Sequence, residues 1–226
     1  MKTLPRFFLS LLAGSIIFIG LPLLGWGLGH IPAFFENPAR IAYVIVIFIL
    51  QIFSLLYNPR VGQNQENRKS DAPKSKIDLI LIQVFSLGIV ILAPSSDSSS
   101  FGVLNVENLV RYIGLSIAVP GFILMQAGEK YLAKQFSIEV TLQKDHKLIQ
   151  SGPYQVIRHP RYLGILLFFT GISLTFRSLI SILTVLALAG VLIWRVFAEE
   201  KMMHQEFGKE WEEYQAKTWR LIPYIF

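Results

Sequence analysis

The sequence contains no cysteine and few charged residues. The absence of cysteine excludes disulfides, zinc–thiolate sites, iron–sulfur clusters and thiol nucleophiles. Charged residues make up 16% of the 226 positions, whereas 53% are hydrophobic. Such a composition is too apolar for an ordinary soluble domain, and it predicts a membrane protein.

The hydrophobic residues lie in long blocks rather than being spread evenly. About 20 residues of helix cross the hydrocarbon core of a bilayer. The blocks that approach or exceed this length are Phe7–Leu28, Ile41–Tyr57, Ile77–Ala93, Leu109–Ala127 and Tyr162–Phe197. The last block is too long for one crossing and is interrupted at Phe176-Arg177-Ser178, so it predicts a hairpin of two helices. The sequence therefore predicts an all-α, multi-pass helix bundle with six crossings.

The first block has a second interpretation, because Lys2 and Arg6 precede an apolar run as they do in a secretory signal peptide. The run is longer than the 7–15 residues typical of a signal core, and no A-x-A cleavage site follows it. We therefore predict an uncleaved first span.

The distribution of Lys and Arg predicts the orientation. These residues collect in four segments, which are 1–6, 58–76, 129–161 and 198–226. By the positive-inside rule, these segments and both termini face the cytoplasm. The segment Pro94–Asn108 has no Lys or Arg and is predicted to be an outer connection. Topogenic loops and anionic lipids account for the net charge of +6, so no nucleic-acid partner is predicted.

A polar loop at Asn58–Lys76 divides the chain into two predicted regions. Residues 1–76 form N-terminal membrane anchor helices with this loop, and residues 77–226 form the core that carries the chemistry. In the C-terminal tail, apolar residues recur every three or four positions and predict an amphipathic helix that lies on the membrane or folds over the bundle. They are Met203, Phe207, Trp211, Tyr214 and Thr218.

Two polar clusters border the predicted hairpin. Ser151–Gly164 reads S-G-P-Y-Q-V-I-R-H-P-R-Y-L-G, and Arg195–Glu200 reads R-V-F-A-E-E. Because the ends of antiparallel neighbouring helices lie side by side, the clusters predict a pocket that contains an arginine, carboxylates, an imidazole and phenols. Arg195 and Glu199 share a helix face, and Glu200 is turned about 100° further. The alternative is a non-catalytic membrane protein in which Pro160 simply starts a helix and Arg195 forms a surface ion pair.

A metal site is not predicted. His146, His159 and His204 are present, but no H-E-x-x-H motif or close histidine pair occurs.

The pattern G-P-Y-x-x-x-R-H-P-x-Y-x-G, then R-x-x-x-E-E and F-G-x-x-W-x-x-Y, resembles the isoprenylcysteine carboxyl methyltransferase family over roughly residues 126–226. These are integral membrane enzymes that use S-adenosylmethionine, and related membrane methyltransferases act on phospholipid amines. The resemblance implies a catalytic group of Arg195, Glu199 and Glu200, in which Arg195 meets a lipid-like or prenylated methyl acceptor. It also implies a cofactor site formed by Gln143, His146, Lys147, Leu148, Ile149, Tyr154, His159, Pro160, Arg161, Tyr162 and Glu199.

The chemistry of these residue types agrees with the implied roles. A carboxylate and aromatic faces stabilise a sulfonium cation, although Glu199 can equally accept hydrogen bonds from the ribose or amino group of the cofactor. A carboxylate acceptor is already ionised at neutral pH and needs a guanidinium to hold it, which Arg195 supplies. An amine acceptor would instead need a base, for which Glu199, Glu200 and His159 are candidates.

Overall fold

The computed structural model describes residues 3–57, 77–132 and 148–226, and these residues form helices and turns without a β-strand. Nine α-helices lie in the described ranges, with a π-helical segment at Ile16–Gly20 and 3-10 turns at Leu28–His30 and Gly152–Gln155. The α-helices are α1 (Thr3–Ser15), α2 (Leu21–Trp26), α3 (Ile31–Phe34), α4 (Pro38–Tyr57), α5 (Ile77–Ser99), α6 (Leu109–Leu132), α7 (Pro160–Thr175), α8 (Leu179–Phe207) and α9 (Lys209–Gln215). The predicted all-α class is confirmed.

Five described helical segments are long and apolar enough to cross a membrane. They are Phe7–Trp26, Pro38–Tyr57, Ile77–Ser99, Leu109–Leu132 and Leu179–Phe207. Helix α7 is also apolar but has only 16 residues. The number of six crossings therefore stays a prediction that depends on α7.

The predicted helical hairpin is confirmed at the predicted break. Helix α7 ends at Thr175 and α8 begins at Leu179. Arg177 adopts a positive φ of 53°, which turns the chain sharply, and the Ser178 hydroxyl accepts a hydrogen bond from Ser181 N at the start of α8. A local turn and a helix cap thus divide one apolar block into two antiparallel neighbours.

Helix α5 continues through Pro94 to Ser99, so the first part of the predicted outer connection is helical, and its outer position stays a prediction. A proline removes one backbone donor, and within a packed bundle neighbouring groups can compensate for that loss. The added turns also carry Asp97, whose side chain binds Arg111 in a bidentate pair at 2.7 and 2.8 Å. This buried pair explains why the helix extends past the proline.

Asp97 ties together the end of the bundle that we call the far end. Arg40 from α4 approaches its carboxylate at 3.3 Å, and Arg177 from the α7–α8 turn approaches it at 3.1 Å. Together with Arg111 from α6, these contacts connect four parts of the fold at a carboxylate that is only 1% exposed. The far end is therefore a structural junction.

The prediction of a single amphipathic helix in the C-terminal tail is wrong. Helix α8 runs to Phe207, and Gly208, with a φ of 50°, separates it from the short helix α9. Trp211 and Tyr214 on α9 are buried, and the Tyr214 hydroxyl donates to the Tyr154 carbonyl at 2.7 Å. The tail therefore folds over the end of the bundle, which is one of the two positions predicted for it.

Helices α6 and α7 approach each other closely along glycines that recur at intervals of seven residues. These glycines are Gly114, Gly121 and Gly128 on α6 and Gly164 and Gly171 on α7. Small residues allow the backbones of two membrane helices to approach closely. Such close packing drives helix association in lipid, where the hydrophobic effect does not. This contact fixes the start of α7 beside the end of α6, opposite the far end.

Candidate functional site

The starts of α5 and α7 meet the C-terminal half of α8 at the end of the bundle opposite the far end. Asp78 lies in the first turn of α5, His159 directly precedes α7, and Glu199 lies in the C-terminal half of α8. With Tyr162 and Arg195 they form a connected group that we call the site cluster. All five side chains are buried or partly buried, although they come from helices distant in sequence.

Glu199 is the centre of the site cluster. Its Oε1 accepts hydrogen bonds from the Tyr162 hydroxyl at 2.5 Å and from Arg195 Nε at 3.0 Å. Its Oε2 lies 3.5 Å from His159 Nδ1. The Glu199 side chain is 21% exposed, whereas that of Arg195 is 2% exposed. The carboxylate of Glu199 is therefore the group of the site cluster that is most accessible to a ligand.

Arg195 is held from two sides. Its Nε donates to the Tyr162 hydroxyl at 2.8 Å and to Glu199, and its Nη1 donates to Asp78 Oδ2 at 2.5 Å. The predicted shared face of Arg195 and Glu199 is thus seen as an i,i+4 ion pair. This ion pair differs from the exposed pairs that contribute little to stability, because the Arg195 guanidinium lies between two carboxylates and is almost fully buried.

His159 stacks its ring on Tyr162, with the centroids 5.6 Å apart and the planes 6° apart. Its Nε2 lies 3.4 Å from Glu200 Oε1, so the imidazole bridges Glu199 and Glu200. Burial by itself would lower the pKa of His159, but the two carboxylates outweigh burial and hold this pKa above its ordinary value. The arrangement therefore favours an imidazolium.

We expect the stabilising effect of His159 to depend on pH. Because the pKa is raised in the folded protein, the ion pairs contribute fully below the unfolded value of about 6.5 and are lost as the pH rises through the folded value. The loss of stability in His159→Asn should be about 1–3 kcal/mol near pH 6 and smaller at higher pH. Thermal unfolding of both proteins in detergent at several pH values from 6 upward measures this loss of stability.

His204→Asn is the matched control for this prediction. His204 contacts Glu212 at 3.0 Å, but its side chain is 53% exposed. An exposed pair contributes little, so this variant should unfold like the parent protein across the pH range. A loss in His159→Asn that grows with increasing pH would contradict the ion-pair account.

Glu200 joins the site cluster to the C-terminal tail. Its Oε1 accepts a hydrogen bond from Arg158 Nε at 2.9 Å, and its Oε2 accepts one from Arg220 at 2.9 Å. Arg158 also donates to the Thr218 carbonyl, and its backbone N–H donates to the Trp219 carbonyl at 2.8 Å. Glu200 therefore anchors the tail across the start of α7, and the catalytic role implied for it stays a prediction.

Other residues of the implied cofactor site lie next to the cluster. Tyr154 is buried, and its hydroxyl donates to the Gly128 carbonyl at 3.2 Å. Pro160 occupies the first position of α7, and Arg161 binds Glu129 on α6 at 2.9 Å. These contacts fix the Gly152–Gln155 turn and the start of α7 against α6.

The remaining implied residues are placed less directly. Leu148 and Ile149 are partly exposed in an irregular segment before the 3-10 turn. Gln143, His146 and Lys147 lie outside the described residues, so their place in a cofactor site stays a prediction.

The sequence reasoning missed Asp78, Arg158 and Arg220. A signal existed for Asp78, because an acidic residue at the start of an otherwise apolar block requires a partner. Its partner Arg195 lies 117 positions away, and a single sequence does not reveal that pairing. Arg158 belongs to the R-H-P pattern but was given no role in the site, and Arg220 lies in a basic segment that was used only to predict orientation.

The description of the family model that matches residues 109–210 is "Phospholipid methyltransferase". A probable protein-S-isoprenylcysteine O-methyltransferase of Oryza sativa subsp. indica is 30% identical over 149 residues, which cover 63% of this chain and 76% of that protein. Protein-S-isoprenylcysteine O-methyltransferase B of Arabidopsis thaliana is 30% identical over 123 residues, which cover 51% of this chain and 60% of that protein.

Among solved structures, the fold is similar to that of the eukaryotic intramembrane Ras methyltransferase ICMT. The TM-score is 0.58 at 20% identity, and the match covers 89% of this chain and 73% of that one. The apolar helices of the bundle and these relatives together identify an integral membrane enzyme of the methyltransferase class. The chain belongs to the isoprenylcysteine carboxyl methyltransferase family.

Proposed function

We propose that this protein uses S-adenosylmethionine to methylate the carboxylate of a prenylated cysteine or a similar lipid-like acceptor. The observation that carries the proposal is the pairing of a reachable anion, Glu199, with a buried guanidinium, Arg195, in one cluster. The first group suits a cationic donor and the second suits an anionic acceptor. The names of the relatives support the same reaction class.

The donor side of the site fits a sulfonium compound. Glu199 supplies a negative charge, and the stacked rings of His159 and Tyr162 lie beside it. Carboxylates and aromatic faces both stabilise a cation in a partly desolvated site. When bound, S-adenosylmethionine would supply an electrophilic methyl group. Glu199, His159, Tyr162 and Tyr154 would hold it, together with the other residues that the family pattern implies.

The acceptor side needs no general base, because a carboxylate is ionised at neutral pH. In the transfer, an acceptor oxygen forms a bond to the methyl carbon while the bond from that carbon to sulfur breaks and sulfur keeps the electron pair. The positive donor and negative acceptor become neutral at the reacting atoms. The protein's contribution is therefore to orient both partners and to exclude water, and Arg195 would hold the acceptor oxygen.

We also propose that the site faces the cytoplasm and that residues 77–226 form the catalytic core. The segments 129–161 and 198–226 are rich in Lys and Arg, and their described residues include Arg158 and Arg220 beside the site cluster, which supports this orientation. Every member of the site cluster comes from α5, α7 or α8 or from the residue before α7, which supports the division at residue 76. The helices within residues 1–57 then act as a membrane anchor.

A second candidate is N-methylation of a phospholipid amine, which the description of the matching family model favours. The two reactions give distinguishable products. The purified protein would be given labelled methyl donor and either N-acetyl-S-farnesylcysteine or phosphatidylethanolamine. We expect base-labile label in the farnesylated acceptor, because a methyl ester hydrolyses in base. Base-stable label in the lipid alone would replace the carboxyl proposal with the amine one.

The donor site is tested separately by cofactor binding. Glu199→Gln removes the reachable charge, so we expect S-adenosylmethionine to bind at least about tenfold more weakly and to raise the melting temperature less than in the parent protein. The control is Glu213→Gln, which removes the same charge from an exposed position on α9. Equal binding by both variants would contradict the role of Glu199.

A further inference from the structure

The carboxylate of Asp78 binds the guanidinium of Arg195, the group that we propose for binding the acceptor. Among the described residues it has one hydrogen-bond partner, Arg195 Nη1, and its Oδ1 is buried without any. A buried carboxylate oxygen that makes no hydrogen bond costs free energy. Asp78 is therefore held by a single contact, although it is only 6% exposed.

Two carboxylates already surround Arg195, so a third one would be repelled. Asp78 and Glu199 already bind its guanidinium, which is 2% exposed. An acceptor carboxylate that entered beside both of them would repel two like charges in a site of low dielectric constant. One resident carboxylate must therefore move away before Arg195 can bind the acceptor.

Asp78 is the carboxylate that can leave at lower cost. Glu199 is held by Tyr162 and His159 in addition to Arg195, so its movement would break three contacts. Movement of Asp78 would break the contact with Arg195 alone among those that the described residues provide. Asp78 also lies in the first turn of α5, where fewer backbone hydrogen bonds restrain a change than at mid-helix.

We infer that Asp78 is a specificity-determining residue that occupies Arg195 between turnovers and exchanges with the acceptor's carboxylate. This inference rests on the proposed function. An anionic acceptor competes with Asp78 for the guanidinium, whereas its methyl ester has lost the negative charge and competes poorly. After transfer, Asp78 returns to Arg195, which favours release of the ester and disfavours neutral lipids as ligands.

The test is the response of acceptor binding to the charge at position 78. In Asp78→Asn, the KM for N-acetyl-S-farnesylcysteine should fall roughly tenfold, because the competing charge is gone. Inhibition by the corresponding methyl ester should become stronger, while kcat should not rise. Asp78→Glu keeps the charge and should keep the weaker acceptor binding. A purely structural role would lower kcat and leave KM unchanged or raised.

A control variant, a second substitution at position 78 and ester binding by the parent protein complete the test. Glu213→Gln is the control for a simple loss of negative charge, and its KM should equal that of the parent protein. Asp78→Ala serves if Asp78→Asn does not fold, and it should lower KM in the same direction. In the parent protein, the methyl ester should bind much more weakly than the carboxylate, and equal binding would overturn the inference. Absence of any base-labile product from the parent protein would instead refute the proposed function itself.

Discussion

Arg195→Ala should lower methyl transfer to the acceptor by a factor of roughly 30 to several thousand. Removal of one partner of a buried, hydrogen-bonded charge pair typically costs about 2–5 kcal/mol of binding free energy, and each 1.36 kcal/mol is tenfold in rate or affinity. The substitution leaves Asp78 and Glu199 without the guanidinium between them. Turnover should fall more than cofactor affinity, because His159 and Tyr162 still hold Glu199.

The same variant should also unfold more easily, since an uncompensated buried charge costs about 3–5 kcal/mol. Activity must therefore be expressed per folded protein, with the folded fraction measured by size exclusion and thermal unfolding. Arg195→Lys separates charge from shape. A lysine keeps the charge but cannot reach Asp78 and Glu199 with separate rigid donors, so its turnover should be low although its stability recovers in part.

Arg177→Ala is the matched control for Arg195→Ala. Arg177 also contacts a buried carboxylate, but at the far end, where Asp97 keeps Arg111 and Arg40 as partners. We expect a loss of stability without a loss of turnover per folded molecule. If Arg195→Ala retained full turnover, the assignment of acceptor binding to Arg195 would be refuted.

Gly121→Val should prevent normal packing of α6 against α7. A Cβ at this position would lie 2.6 Å from Phe168 N, 2.8 Å from Leu167 Cβ and 3.0 Å from the Gly164 carbonyl oxygen. Two of these atoms belong to the backbone, so the helices must separate. Even Gly121→Ala should cost about 1–3 kcal/mol, the range for an overpacked core, and the valine should cost more.

The consequence extends to the site, because α7 carries Tyr162 and α6 carries Glu129, the partner of Arg161. The yield of folded protein and its melting temperature in detergent measure the effect. Gly190→Ala on α8 is the control, since a Cβ there meets no atom within 4 Å and alanine favours a helix by about 0.5–1 kcal/mol over glycine. A Gly121→Val protein as stable as this control would show that the contact between α6 and α7 is loose.

Much of the site was predictable from the sequence because its residues are close together in the chain. The R-H-P-R-Y segment lies at one helix start and the R-x-x-x-E-E segment lies within two turns of one helix, so local geometry fixes which side chains share a face. The antiparallel hairpin then brings the two segments together, as predicted. The break at Phe176-Arg177-Ser178 was visible as polar residues within an apolar block.

The errors have a common cause in contacts between distant parts of the chain. Helix α5 passes Pro94 because Asp97 pairs with arginines from three other places, and no window of local sequence contains those partners. The tail divides at Gly208 because α9 packs on Tyr154 rather than continuing α8. Local periodicity predicts where a helix can form, whereas the residue at which the helix ends depends on its contacts with other parts of the fold.

The sequence by itself determined a cysteine-free membrane protein of apolar helices and the ionisable residues on the two helices of its hairpin. Those properties follow from hydrophobicity and from helical periodicity, which are local. Only the tertiary structure decided that Asp78 would share Arg195 with Glu199 and that Glu200 would bind the tail through Arg158 and Arg220. Each of these contacts depends on helix packing, which places a charge beside a partner that the order of residues does not reveal.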